Sequence, residues 1–319
     1  MRSAMLERDS SPVQARGSIG TRSHAVFPNE EVRAAFLTMY DRKLADFPVP
    51  FEEIDVPTSY GISHVVVTGK VGAPPLVMFH MTGCPSFIWR PVIAPLAARY
   101  RTFAVDIMGD LGKSELTDPD RYPRSGAQLA GWAGEVADTL GVTKSDVVGG
   151  SFGGWLAMHY AANAPQRVRR LALVVPMGLP PLVQTFRVLA RLAVIVLGQS
   201  RDKTDRTLSW MMGDHPATQA LAGDWIRAAM HHRLKVRVPQ PFPVPARELR
   251  KISVPTTVLL GAADRILGNP LRAASRAQRH VRDVEIKVFA NCTHGLHAEQ
   301  PDGMARHILD YFDRADSRP

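Results

Sequence analysis

Gly149-Gly150-Ser151-Phe152-Gly153 sits between the β-branched run Ser145-Asp146-Val147-Val148 and the helix-like run Trp155-Leu156-Ala157-Met158-His159-Tyr160-Ala161-Ala162. A serine between a short buried strand and a helix occupies the vertex of a sharp turn, in a strained backbone conformation. The residues two before and two after it must be small, or their Cβ atoms would collide as the arms fold together. Gly149 and Gly153 meet that demand. The turn lifts the hydroxyl clear of the backbone and sets it at a helix N-terminus, where partial positive charge favours a developing anion.

A nucleophilic serine needs a base, and the base needs a group to orient it. Both follow downstream. Val254-Pro255-Thr256-Thr257-Val258-Leu259-Leu260 reads as a buried strand running into Gly261-Ala262-Ala263-Asp264. Val284-Glu285-Ile286-Lys287-Val288-Phe289 reads as another, running into Asn291-Cys292-Thr293-His294. Ser151, Asp264 and His294 thus fall, in that order, at the carboxyl ends of three strands, the edge where α/β sheets build their sites. One anion donor is expected from the backbone N–H of Phe152. The other is expected from the loop Met81-Thr82-Gly83-Cys84, after the strand Leu76-Val77-Met78-Phe79-His80. His80 and Asp106 read as loop-fixing residues, since each stands at a strand end without a place in the serine–acid–histidine order.

The rest of the chain alternates. Two strands in 50–69 turn at Tyr60-Gly61. Strands at 75–80, 101–107, 145–150, 169–175, 254–260 and 284–289 are separated by helices at 88–98, 126–140, 152–163, 269–279 and 301–313. A helix over 29–46 begins at Asn29, a suitable N-cap. This pattern predicts a mostly parallel sheet with helices on both faces. Residues 179–250 break the rhythm, with helix-like runs at 183–197, 204–212 and 217–231 before the Pro-rich Val238-Pro239-Gln240-Pro241-Phe242-Pro243-Val244-Pro245. The expected organisation is a flexible N-terminal extension over 1–28, a core of 29–178 and 251–315, and a helical cap over 179–250. Within 183–197, Phe186, Leu189, Leu192, Ala193 and Leu197 recur near helical spacing, apart from Arg187 and Arg191. That face is expected to roof Ser151, so Phe186 and Leu189, with Cys84, are the candidate pocket residues.

A length of 319 residues with 45% apolar content suffices for one such domain with an insert. Cys84 and Cys292 are the two cysteines, too few for a disulfide framework, so a cytoplasmic location is expected. No apolar signal core precedes residue 29, and no run reaches eighteen apolar residues; Val188 to Leu197 is short and broken by Arg191. The formal net charge is +9, and residues 179–250 hold eleven Lys/Arg against five Asp/Glu. Those basic residues are scattered among apolar ones and form no nucleic-acid motif, so no nucleic-acid partner is expected. A basic rim favouring an anionic substrate is the better use of the charge. His231-His232 and the pair His294 and His297 lack a further ligand at metal spacing, and no metal is expected.

With these residues in place, the chain resembles the α/β-hydrolase superfamily, and more narrowly the bacterial serine carboxylesterases of the naproxen-esterase type. The narrower resemblance rests on Tyr100 to Asp110 followed by Gly112-Lys113-Ser114, on Glu299-Gln300-Pro301, on the helix before Pro48 and on Trp210-Met211-Met212. It spans about residues 30–315. The resemblance implies a Ser-Asp-His esterase acting on a small-molecule ester without a cofactor; a homo-oligomer is compatible with it. Acyl transfer, lactone or thioester opening and C–C cleavage use the same three groups, and a pocket of this kind also serves low-turnover ligand binding. Two departures stand out. The family has His-Gly where this chain has His80-Met81, so the second anion donor is Thr82 by position, or Met81 in a shifted register. It also has glycine before its histidine, where this chain has Thr293.

Overall fold

The computed structural model describes residues 26–198 and 201–316. Helix α1 (Glu30–Ala45) is capped by the Asn29 side chain, which accepts from the Val32 N–H at 2.9 Å. Strands β1 (Phe51–Thr58) and β2 (Gly61–Thr68) pair antiparallel around Ser59-Tyr60. Strand β3 (Pro75–Phe79), helix α2 (Arg90–Ala97), strand β4 (Arg101–Val105), the two-residue β5 (Glu115–Leu116), helix α3 (Gly126–Thr139), strand β6 (Ser145–Gly150), helix α4 (Phe152–Asn163) and strand β7 (Val168–Val174) follow. The insert carries α5 (Leu182–Gly198), α6 (Arg201–Met212), α7 (Pro216–Thr218), α8 (Asp224–His231) and α9 (Ala246–Leu249). Strand β8 (Thr256–Gly261), helix α10 (Pro270–His280), strand β9 (Val284–Phe289), helix α11 (Leu296–Glu299) and helix α12 (Pro301–Asp316) complete the chain.

The sheet runs β1-β2-β4-β3-β6-β7-β8-β9, parallel from β4 to β9, with β1, β2 and the β2–β4 junction antiparallel. Strand β5 also pairs with β2, a contact the sequence pattern did not announce. Gly61, at φ +148°, makes it sterically available, because a Cβ there would stand 2.1 Å from the Glu115 carbonyl oxygen. Strands β6 and β8 are buried at every residue, so neither shows the alternation of a half-exposed strand. Helix α2 packs on α12, and α3 on α4. At the amino end of β6, away from Ser151, the buried Asp146 carboxylate takes paired hydrogen bonds from Arg169 and Arg170 at 2.5–3.0 Å.

Two expectations about the ends of helices change. The helix expected over 88–98 is a 3₁₀ turn, Ser86–Trp89, followed by α2. The run 217–231 is divided by a π turn over Gln219–Gly223. Of the extension expected over 1–28, residues 1–25 lie outside the described residues. Val26 and Phe27 are docked: the Val26 carbonyl accepts from the Lys235 N–H at 3.3 Å, and Phe27 packs on Phe36 with ring centroids 5.6 Å apart.

The insert leaves and rejoins the core at one place. The Val244 N–H donates to the Gly178 carbonyl at 2.9 Å, and the Arg276 guanidinium donates to the carbonyls of both residues at 2.5 Å. Gly178 (φ +86°) has no room for a side chain there, since a Cβ would meet Trp155 at 2.5 Å and Val244 at 2.9 Å. Among the described residues no helix is long and apolar enough to cross a membrane.

Candidate active site

Ser151 stands between β6 and α4 at φ 49°, ψ −110°, a conformation that L residues adopt only when their surroundings impose it. The imposing contacts are steric. A Cβ on Gly149 would lie 2.3 Å from the Gly153 carbonyl oxygen, and one on Gly153 would lie 2.0 Å from that of Phe79. The Ser151 N–H donates to the Val174 carbonyl at 2.9 Å, and its own carbonyl accepts from Trp155 and Met177. The Phe152 N–H, first in helix α4, has no acceptor among the described residues.

The loop after β3 folds back on itself. The Cys84 N–H donates to the Met81 carbonyl at 3.0 Å, and the two residues form an isolated antiparallel bridge. Pro85 has no N–H to offer the flanking position, so the bridge closes through Met81 and Cys84 themselves, and the Met81 N–H faces the Cys84 carbonyl. His80 Nε2 accepts from the Ile107 N–H at 2.8 Å; the ring hydrogen therefore sits on Nδ1 and is donated to the Met81 carbonyl, also at 2.8 Å. The Thr82 N–H is left without an acceptor among the described residues. Methionine at position 81 needs no glycine-like angle, because the left-handed turn falls on Gly83, at φ +72°. Its side chain lies against Gly150, where a Cβ would come within 3.1 Å of Met81 Cε. The Gly83 N–H is held by the Asp110 carboxylate at 3.0 Å. Burial pushes that carboxyl up to about 6.

Asp264 lies three residues beyond β8, and His294 five beyond β9. Gly261 lets their two loops touch, since a Cβ there would stand 2.5 Å from the carbonyl oxygens of Cys292 and Thr293. The Ala263 N–H donates to the Cys292 carbonyl at 2.8 Å across the junction. His294 Nδ1 is 2.7 Å from Asp264 Oδ2, and His294 Nε2 is 2.8 Å from Ser151 Oγ. Asp264 Oδ1 accepts from the N–H groups of Ile266 at 2.9 Å and Leu267 at 3.0 Å. A hydroxyl, an imidazole and a carboxylate in one hydrogen-bonded line can move a proton from Oγ to Nε2 while Nδ1–H stays anchored. Asp106 sits outside that line. Its carboxylate accepts from the N–H and Oγ of Ser86, the Lys113 N–H and the Tyr40 hydroxyl.

The pocket expectations fare differently. Cys84 is buried in the loop after β3, and its thiol is pushed up to about 12 by burial and then by Asp110. Phe186 is 55% exposed, where the sequence pattern pointed to an inward-facing residue. Gln184, Thr185 and Val188 are the buried residues of that part of α5, and Phe186, two residues past Gln184, lies about 200° round the helix from it. Leu189 is half-buried, Ala193 is exposed, and the side chains of Leu192 and Leu197 lie outside the described residues. What sets this phase is polar. Gln184 Nε2 donates to the carbonyls of Arg265 at 2.8 Å and Ile266 at 3.0 Å, in the loop of Asp264.

Three more residues meet the site, and of these Trp225 had no motif to announce it. The Trp225 indole N–H donates to the Gly83 carbonyl at 2.7 Å. The Thr293 hydroxyl lies 2.9 Å from the Met212 carbonyl and against the Glu299 carboxylate, which also takes the Thr293 N–H at 2.7 Å. His297 is wholly buried with neither ring nitrogen paired, and burial, with a smaller contribution from His294, pushes it down to about 3. Among the described residues no three His, Cys, Asp or Glu side chains are grouped to hold a metal ion.

Comparison with known proteins adds a family to this geometry. Residues 76–307 match the model of the alpha/beta hydrolase family. The chain is 32% identical over 281 residues to an uncharacterized carboxylesterase, nap, of Bacillus subtilis, covering 86% of this chain and 90% of that protein. It is 27% identical to carboxylesterase YbfK of the same organism, over 87% of this chain and 93% of that one. The crystal structure of naproxen esterase from Bacillus subtilis superposes with a TM-score of 0.77 at 29% identity, covering 88% of this chain and 98% of that chain.

Proposed function

The chain belongs to the alpha/beta hydrolase family, and from that premise we propose that it hydrolyses small carboxylic esters through an acyl-enzyme on Ser151. The observation that carries this reading is the unbroken line Ser151 Oγ, His294 Nε2, His294 Nδ1, Asp264 Oδ2, with links of 2.8 and 2.7 Å. Ser151 Oγ attacks the ester carbonyl as His294 Nε2 takes its proton. The tetrahedral oxyanion sits between the N–H groups of Phe152 and Thr82, the two unspent backbone donors beside Oγ's loops; the Met81 N–H is turned to Cys84 instead. The imidazolium then protonates the leaving alcohol. Water enters, gives its proton to Nε2 and attacks the acyl carbonyl; Nε2 then returns that proton to Ser151 Oγ as the C–Oγ bond breaks and the acid leaves. Asp264 holds Nδ1–H throughout and steadies the charged ring. Residues 179–250 act as a cap on a core of 29–178 and 251–315, in keeping with the helices α5 to α9 between β7 and β8.

The test is a fluorophosphonate label read by peptide mapping, alongside turnover of p-nitrophenyl esters. The label is expected on Ser151. Ser151→Ala is expected to abolish it and to lower kcat by about 10⁴-fold or more. Labelling of Cys84, Cys292 or another serine overturns the assignment.

A further inference from the structure

Three helices of the insert each reach one of the three loops that surround Ser151. Gln184, on α5, meets the loop of Asp264; Met212, the last residue of α6, meets the loop of His294; Trp225, on α8, meets the loop after β3. Two of the meetings use a glycine where the segments approach. A Cβ on Gly268 would lie 2.9 Å from the Gln184 amide, and one on Gly213 would lie 2.7 Å from the Thr293 methyl, while Gly83 is itself the acceptor for Trp225.

Two of these contacts continue through peptide groups to the reacting end. The Gln184 amide has two hydrogens, and they go to the Arg265 and Ile266 carbonyls. The same two peptide units carry the Ile266 and Leu267 N–H groups, and both of those donate to Asp264 Oδ1. Each peptide is thus polarised from its carbonyl side by Gln184 and spends the gain on the carboxylate. The Trp225 contact runs further. The Trp225 N–H polarises the peptide of Gly83 and Cys84; the Cys84 N–H donates to the Met81 carbonyl; and that carbonyl shares its peptide with the Thr82 N–H. Because a trans peptide points its N–H away from its carbonyl, Thr82 N–H is aimed opposite to His80 and Cys84. The third contact is direct. The single Thr293 hydroxyl hydrogen is shared between the Met212 carbonyl and Glu299, one residue before His294.

We infer that the insert assembles the active site through these hydrogen-bonded relays, with Gln184, Thr293 and Trp225 as positioning residues for Asp264, His294 and the Thr82 N–H. The inference rests on the esterase reading given above and adds a dependence to it: the reacting groups are in register only while the insert is seated.

The experiment uses the full chain and compares Gln184→Met, Trp225→Phe, Thr293→Val and Thr293→Ser with the wild type. Two rates are read: the second-order rate of fluorophosphonate labelling at Ser151, and kcat and KM for p-nitrophenyl acetate. Thermal melting checks that each variant is folded at the assay temperature. Gln184→Met, Trp225→Phe and Thr293→Val are expected to label and turn over on the order of 10-fold or more slowly, with KM within about 3-fold of wild type. Thr293→Ser, which keeps the hydroxyl, is expected to retain the wild-type rate. Wild-type labelling rates in folded Gln184→Met and Trp225→Phe overturn the inference, as does a loss confined to KM or an equal loss in Thr293→Ser and Thr293→Val. If Gln184→Met does not fold, Trp225→Phe and the Thr293 pair decide. Labelling requires no particular ester, so a wild type that labels at Ser151 but hydrolyses no ester defeats the esterase reading alone. A wild type that does not label at Ser151 defeats both.

Discussion

The turn that carries Ser151 and the loops that carry Asp264 and His294 are held in place by opposite means. The turn is fixed by what its neighbours lack: a Cβ on Gly149 or Gly153 would enter backbone atoms at 2.3 and 2.0 Å. Everything that forces φ to 49° at Ser151 lies within a few residues or on the adjoining ends of β3 and β7. The two loops are fixed by what reaches them. Asp264 Oδ1 is held by its own loop's N–H groups, which are in turn backed by Gln184, and Thr293 joins Met212 to Glu299 beside His294. Steric fixation is local, rigid and intolerant of substitution. Polar fixation is long-range, adjustable and sensitive to conditions.

That contrast can be broken in four ways, taken from the largest expected effect down. Asp264→Asn keeps the loop's shape but presents His294 with the wrong tautomer; kcat is expected to fall by about 10³–10⁴ with the melting temperature little changed. A near-wild-type kcat would show that the loop side of the contrast carries no chemistry. Gly153→Ala is expected to cost roughly 3 kcal/mol or more in urea unfolding, since backbone cannot move aside, whereas Gly150→Ala meets only side chains, Met81 and the Trp89 ring at 3.1–3.3 Å, and should cost about 1–2 kcal/mol. Equal costs for the two glycines would remove the steric half of the argument.

The third break uses pH. His297 follows the His294 loop, is buried without a partner and is pushed down to about 3 in the folded chain. An unfolded histidine titrates near 6.5, so below that pH the unfolded chain takes the proton that the folded chain refuses. Stability is therefore lost as pH falls from 6.5 toward 3, by on the order of 2 kcal/mol at pH 5. His297→Gln is expected to flatten that dependence, measured as urea stability at pH 7.5 and pH 5; an unchanged slope would place the acid sensitivity elsewhere. The smallest effect belongs to Phe186. Being exposed on α5, it should change stability by no more than about 0.5 kcal/mol when replaced by alanine, and leave the preference between short and long acyl esters as it was. A shifted preference would restore Phe186 to the pocket.

The same contrast explains what was legible in the sequence. The turn could be read because its requirements are adjacent in the chain: strand, two glycines two residues either side of a serine, helix. Asp264 and His294 could be placed because each follows a recognisable strand. Their supports could not, because Gln184 and Trp225 are single polar atoms on helices whose partners lie 81, 82 and 142 residues away. Phe186 shows the cost. Apolar spacing alone turned it inward, but the phase of α5 follows the buried Gln184 amide and Val188, and hydrophobic periodicity has no entry for a glutamine that seeks two carbonyls. Thr293 stood out as a departure from glycine, yet only the fold shows that its hydroxyl meets Met212. The strand β5 escaped notice because two residues carry no period.

The neck of the insert has a consequence for how such a protein can change. Gly178 and Val244 touch, and one arginine from α10 grips both. Sixty-odd residues therefore leave the sheet and return through a doorway one hydrogen bond wide. A segment whose two ends already meet can be lengthened, shortened or exchanged as a cassette, because the span between its ends is fixed by the doorway and not by what hangs from it. Inheritance can thus treat the sheet and the insert as separable parts, with the core kept as a chassis. Any incoming segment must still present its own counterparts to Arg265, Thr293 and Gly83. Grafting would succeed first in folding and only later, as those three contacts are rebuilt, in reactivity.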